Sequence, residues 1–237
     1  MATFVLVHGG GHGGWCYKKV ARLLRAAGHD VYAPTLTGLG ERRHLLGPHV
    51  DLDLHITDVV ETLVYEDLSD VVLAGHSYGG MVITGVADRV PERIRELVYL
   101  DAAHPLDGQS LADNAVEMMA LCQRHIVTRD GVELIEWPAT MSAAFFGVSD
   151  PEDAAWTDAR LHTGLWKTYA QKLHLKDEAR VRAIPRTDID CTRNVRNWDE
   201  ARRAIAASAT RAWQIDTGHD LMLTEPALLA EMLLKLV

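Results

Sequence analysis

Apolar residues in the first hundred positions come in short unbroken runs: TFVLVH at 3 to 8, HDVYAP at 29 to 34, DVVLAG at 70 to 75 and RELVYL at 95 to 100. Unbroken rather than alternating apolarity suits strands covered on both faces, as in the interior of a parallel sheet. Between the runs the period becomes helical. WCYKKVARLLRAAG closes on Gly28, a residue suited to a helix C-terminus, and DLDLHITDVVETLVYEDL carries its apolar residues mostly at helical spacing. This alternation predicts an α/β fold, a mostly parallel sheet flanked by helices.

The alternation stops at about residue 104 and resumes near 184. From there PRTDIDCT reads as a strand, NWDEARRAIAAS as a helix, TRAWQID as a strand and EPALLAEMLLKLV as a terminal helix. The block at about 104-184 has helix-like stretches and few strand signals. It is expected to form a helical cap inserted between core strands, within one domain spanning 1-237. Its Met118, Met119, Trp137, Phe145, Phe146, Trp156, Trp166 and Tyr169 either pack the cap onto the core or line a pocket beneath it.

Charge narrows the range of partners. With 24 Lys and Arg against 33 Asp and Glu the formal charge is -9, which repels nucleic acid and anionic membrane surfaces. Cys16, Cys122 and Cys191 are odd in number and widely spaced, so they suggest reduced thiols rather than a disulfide framework or zinc cluster. The start MATFVLVHGGG lacks a basic region and a secretory cleavage site, and no run approaches the roughly 20 apolar residues of a membrane span. A cytoplasmic protein acting on a small molecule, with no nucleic-acid or membrane partner, is the expectation; a homodimer stays open. The 12 histidines show no HExxH or comparable ligand spacing, so no metal is expected and they are read as scattered over the surface.

One stretch carries specific chemistry. LAGHSYGGM places Gly75, His76, Ser77, Tyr78 and Gly79 between an apolar strand and the helical MVITGVADRV. This is the G-x-S-x-G elbow in its strand-turn-helix setting, which exposes the serine hydroxyl at the carboxyl end of the sheet. A serine nucleophile needs a base, since its hydroxyl is protonated at neutral pH. His219, in a loop opened by Gly218 after the last strand, stands where that base falls in chain order. The glycines of VHGGGHGGW follow the first strand, and the N–H of Gly10 paired with that of Tyr78 suits an oxyanion hole. These glycines match neither a phosphate loop nor a dinucleotide fingerprint, so no nucleotide cofactor is expected.

Together FVLVHGGGHGGWCY, AAGHDVYAPTLTGLGER, VVLAGHSYGGMV, LVYLDAAHPLDGQS and GHDLMLTEP resemble the α/β-hydrolase branch of plant methylesterases, hydroxynitrile lyases and bacterial esterase relatives. The resemblance covers nearly the whole chain and is weakest in the cap. It implies a Ser-His-Asp site without cofactor, acting on small ester or cyanohydrin substrates beneath a helical cap. By position, Ser77 and His219 become nucleophile and base, and Gly10 and Tyr78 the oxyanion donors. Hydroxynitrile lyases of this branch share a threonine and a lysine where this chain has Gly9 and Asp220. An acidic Asp220 would repel leaving cyanide, which disfavours cyanohydrin cleavage.

The other departure is Asn194, at the place of the family's triad aspartate. Asparagine is neutral and cannot stabilise an imidazolium, and in a serine protease triad that exchange costs about 10⁴-fold. Asp101 ends the run RELVYLD at the carboxyl, active-site end of the sheet, and some α/β-hydrolases, haloalkane dehalogenases among them, take their acid from this strand. Asp101 as acid, Asn194 serving directly, and neighbours such as Asp190 or Asp199 are the alternatives; the paired Asp188 and Asp190 have no account from sequence. The leading expectation is a cofactor-independent serine carboxylesterase on a small apolar or aromatic ester. A lyase or decarboxylase with a Ser-His-Asn site, resembling plant methylketone synthases, is the alternative. A non-catalytic binding protein of the hormone-receptor type is a third, disfavoured by the intact elbow.

Overall fold

Six parallel strands build the central sheet: β1 (Thr3–Val7), β2 (Asp30–Tyr32), β3 (Val71–His76), β4 (Ile94–Leu100), β8 (Arg186–Cys191) and β9 (Arg211–Ile215). Their order is β2-β1-β3-β4-β8-β9, with every pairing parallel. The computed structural model describes residues 1–194, 204–205 and 207–237, so most of the helix expected at 197 to 208, and Asp199, lie outside the described residues.

The unbroken apolar runs are explained by two cores, one on each face of the sheet. Val71 and Leu73 of β3, with Leu97 and Tyr99 of β4, enter a core shared with α2 (Leu52–Tyr65) and α3 (Gly79–Arg89). Their alternates Val72, Ala74, Val98 and Leu100 enter a second core with α1 (Lys18–Ala26) and the C-terminal helix, Pro226–Leu234. Side chains alternate along a strand, so a strand apolar at every position feeds both layers. Each fully buried Val or Leu contributes roughly 1.5–3 kcal/mol relative to exposure.

Residues 104 to 184 leave the sheet after β4 and return at β8. They hold α4 (Leu111–Asn114), α5 (Val116–Gln123), α6 (Pro151–Asp158), α7 (Trp166–Ala170) and α8 (Glu178–Ala183). They also hold an antiparallel sheet of β5 (Val127–Arg129), β6 (Val132–Ile135) and β7 (Gly164–Leu165), so the block is mixed where helices alone were expected. The hairpin has a local cause. Asp130 and Gly131 both adopt positive φ, 52° and 77°, the backbone of a two-residue turn whose twist matches its flanking strands. Asp150 starts α6 by accepting from the N–H groups of Glu152 and Asp153.

Candidate active site

Ser77 follows β3 directly and has φ of 54°, a left-handed backbone that costs a non-glycine residue free energy. The turn is held by Ser77 N–H donating to Leu100 O at 3.3 Å, and by Ser77 O accepting from Gly80 and Ala103 N–H at 3.1 and 3.0 Å. The elbow glycines answer to space. A Cβ on Gly75 would sit 2.6 Å from Gly79 O, and one on Gly79 would sit 2.7 Å from Val7 O. Tyr78 is buried, its hydroxyl donating to His55 Nδ1 at 2.9 Å while His55 Nε2 donates to Thr37 O at 2.9 Å. Burial lowers the His55 pKa, in keeping with a neutral ring that accepts at one nitrogen and donates at the other.

Beside the elbow, β4 ends in a second left-handed residue, Asp101, with φ of 45°. Its N–H donates to Ile189 O at 2.8 Å, and its buried carboxylate turns toward His219. His219 Nδ1 donates to Asp101 Oδ2 at 2.5 Å. Asn194 Nδ2 donates to the same oxygen at 2.5 Å, and Cys191 N–H to Oδ1 at 3.3 Å. Asn194 Nδ2 is also 3.2 Å from His219 Nδ1. Both groups are donors there, drawn together by the carboxylate they share. That carboxylate also settles which way the amide points, since the reverse orientation would set carbonyl against carboxylate. The turn carrying Asn194 is fixed by Thr192 and Arg193, both donating to Asp216.

Of the other acids, Asp188 is buried, 3.1 Å from Arg186 Nε and 3.7 Å from His104 Nε2, while His104 stacks on Tyr99 with centroids 4.0 Å apart. Asp190 lies with Trp213 and Gln214 in a separate surface depression.

Five histidines, His8, His12, His55, His76 and His104, are buried, against the expectation of a surface scatter. Several brace the site. His8 Nδ1 donates to Gly9 O at 2.8 Å and Nε2 accepts from Leu36 N–H at 3.0 Å, with burial lowering its pKa to about 3. His12 Nδ1 donates to Gly10 O at 2.9 Å and Nε2 lies 3.1 Å from Asp220 Oδ2. His76 Nε2 donates to His219 O at 3.0 Å. Burial, then the neighbouring His219, push the His76 pKa well below 6.5.

Asp220 itself is fully buried, engaged by His12, and is not among the residues lining the cavity. The expectation that it confronts a leaving group is therefore corrected. His76, His219 and Asp220 bring ligand-type atoms within 4.8 Å of one another. The hydrogen bonds above already engage each of them, so the group is a proton-bearing network. Nothing in the sequence marked it, because His76 lies far along the chain from the adjacent His219 and Asp220.

A cavity of about 590 Å³ opens over these groups. Gly10, Ser77, Tyr78, Asp101, Asn194 and His219 all line it, whereas Asp190 lies in the separate depression and Asp199 outside the described residues. The cap supplies Met118, Met119, Trp137, Phe145, Phe146 and Tyr169 to its wall. Trp156 instead packs edge-on against Trp15. Trp166 is buried beside Tyr169.

A parallel sheet with a serine elbow, a late histidine and a buried carboxylate under an inserted cap defines a protein of the α/β-hydrolase type. The chain belongs to the alpha/beta hydrolase family, whose model matches residues 4–232. It is similar to the Carbendazim hydrolyzing esterase of Nocardioides sp. (strain SG-4G), 61% identical over 111 residues. That stretch is 47% of this chain and 46% of the relative, so less than half of that protein's length is matched. Esterase PIR7B of Oryza sativa subsp. japonica is 25% identical over 260 aligned positions, covering 98% of this chain and 94% of its own. Among solved structures, an extracellular alpha/beta-hydrolase from a Paenibacillus species superposes with a TM-score of 0.78 at 26% identity, covering 99% of this chain and 98% of that one. Tomato Methylketone Synthase I superposes with a TM-score of 0.80 at 21% identity, over 99% and 96%.

Proposed function

We propose that the chain is a serine carboxylesterase with Ser77 as nucleophile, His219 as base and Asp101 as acid. The observation that carries the reading is the 2.5 Å contact between His219 Nδ1 and Asp101 Oδ2, on the wall of the cavity that also exposes Ser77. With Nδ1 committed to Asp101, Nε2 is the nitrogen left for proton transfer. Ser77 Oγ attacks the ester carbonyl as Nε2 takes its proton, and Asp101 stabilises the imidazolium so formed. The N–H groups of Gly10 and Tyr78 receive the oxyanion. His219 then protonates the departing alkoxide, and water repeats the sequence on the acyl-enzyme.

Asn194 holds Asp101 aimed at His219 by donating to it, a positioning role in place of the acid's own. Trp137, Phe146, Met118 and Met119 on the cavity wall favour a small apolar or aromatic ester. Likeness to a carbendazim-hydrolyzing enzyme makes carbendazim the first substrate to assay beside simple aryl esters. The alternative lyase or decarboxylase drew on a neutral partner for His219. A carboxylate against that ring supplies the charge, and likeness to a methylketone synthase at 21% identity is one of fold alone.

Ser77→Ala is expected to abolish p-nitrophenyl acetate turnover and labelling by a serine-directed phosphonate. Undiminished turnover and labelling in that variant would reject the assignment.

A further inference from the structure

Behind His219 lies a second histidine-carboxylate contact that the reaction scheme does not use. His12 and Asp220 are 208 residues apart in sequence, and their side chains are 2% and 0% exposed. His12 belongs to the loop that carries Gly10. Asp220 is the residue after His219.

Hydrogen bonding fixes the charge state of this pair. The carbonyl of Gly10 can only accept, so His12 Nδ1, 2.9 Å away, bears a proton. On the other side of the ring Nε2 faces a carboxylate oxygen at 3.1 Å, which in its ionised form also accepts. A ring with a proton on each nitrogen is an imidazolium, and a buried cation is tolerable only beside a buried anion. The pKa directions agree. Burial pulls the His12 value down, but the charge and hydrogen bond of Asp220 outweigh it and the net shift is upward. Burial raises that of Asp220, and His12 outweighs it in turn, so the net shift is downward. Of the other rings nearby, His8 and His76 have lowered values and add no competing positive charge, while His219, next to Asp220 in the chain, adds to the field that lowers the Asp220 value. Trp15 stacks on His12 with centroids 5.4 Å apart, and Phe146 meets it edge-on at 6.0 Å.

We propose that the buried His12–Asp220 ion pair is a positioning device that ties the Gly10 loop to the His219 loop and so sets the oxyanion donor relative to the base. His76 completes the tie. It directly precedes Ser77 and donates to the carbonyl of His219, so the backbones of all three reacting segments are joined through buried imidazoles. Cleavage needs Gly10 N–H, Ser77 Oγ and His219 Nε2 in register. A strut between the loops keeps that register with both His12 nitrogens bonded and so outside the proton transfer.

The inference rests on the serine-esterase reading, and two measurements separate their failures. Long-range ¹H–¹⁵N spectra of wild-type protein labelled at histidine need no turnover; just above the ordinary histidine pKa near 6.5, where a free ring is mostly neutral, both His12 nitrogens should still be protonated. A neutral His12 ring there would overturn the proposal. Steady-state kinetics of Asp220→Asn should show kcat lowered roughly 10- to 100-fold, as expected for misaligned reacting groups, with KM changed by no more than about twofold. The paired His12→Phe/Asp220→Leu variant removes both charges together, leaves none buried alone, and should lose kcat to a similar degree while unfolding cooperatively. Wild-type kcat in either variant would also overturn the proposal. Failure of the wild-type enzyme to react with a serine-directed phosphonate would instead sink the esterase reading.

Discussion

Asp101 and Asp220 are both buried carboxylates, each set against an imidazole, and they lie on different sides of His219. Asp101 contacts His219 at 2.5 Å and Asp220 contacts His12 at 3.1 Å. What separates them is the second nitrogen of the ring. His219 is 13% exposed and lines the cavity, so with Nδ1 bonded its Nε2 remains for proton traffic. His12 has both nitrogens occupied by oxygen acceptors and is closed to such traffic. On the proposed mechanism the same two residue types make a reactive pair where the second ring nitrogen is left for a proton and a static pair where both nitrogens are bonded.

The sharpest way to break this comparison is at Asp101. Asp101→Asn should lower kcat for p-nitrophenyl acetate by about 10⁴-fold, the loss known for a triad acid made neutral. A variant with near-wild-type turnover would move the acid elsewhere. Next comes the amide beside it. Asn194→Asp would place two carboxylates where Asn194 Nδ2 and Asp101 Oδ2 are now 2.5 Å apart, and two such groups do not both ionise. We expect roughly 10- to 100-fold lower kcat/KM near pH 6, with the acidic limb of the pH profile displaced upward. Adding Asp101→Asn to that variant restores one acid and one amide. The double variant should regain most of the activity that Asp101→Asn alone removes, because position 194 also lies within 3.2 Å of His219 Nδ1. No recovery would mean that only the end of β4 can serve the histidine.

The smallest effects concern stability against pH. The folded pKa of His12 is raised, so its contribution is complete below the unfolded value of 6.5 and is lost as pH rises through the raised folded value. That of Asp220 is lowered, so its contribution is present above the unfolded value of 3.8 and is lost as pH falls through the lowered one. Chemical denaturation should therefore show the largest gap between wild type and Asp220→Asn from about pH 4 to 6.5, narrowing in alkali. His8 works in the opposite direction. Its folded value near 3 means that unfolding takes up a proton below pH 6.5, so whole-protein stability should fall by a few kcal/mol between about pH 6.5 and 4. A His8→Asn variant with an unchanged acid slope would remove His8 as the cause.

The sheet was legible because its strands are apolar at every position, and two-sided burial demands that. Ser77 and His219 were legible because an elbow between strand and helix, followed by a histidine after the last strand, leaves few other readings. The partner of His219 stayed open among Asp101, Asn194 and neighbours such as Asp190 or Asp199. The features that favour Asp101 in the proposed reading are its left-handed turn and the donor orientation of Asn194, and neither has a composition signal. The Asp130-Gly131 pair did announce a hairpin between VTR and VELI, but it stood within a block otherwise rich in helix-like stretches. The bracing histidines were missed for another reason. Whether an imidazole is surface decoration or a buried strut depends on distant contacts, such as His12 with Asp220, that no local spacing encodes.

Asp101 precedes the cap, whereas position 194 follows it. The proposed nucleophile and acid thus ride on neighbouring strands within one stretch of 31 residues, from Val71 to Asp101, and their spacing does not pass through the inserted block. The roof over the cavity meets the Gly10 loop where His162 N–H donates to Gly11 O and the His219 loop where Asp220 N–H donates to Phe146 O, so an exchanged roof leaves those two loops to be realigned while Ser77 and Asp101 keep their spacing.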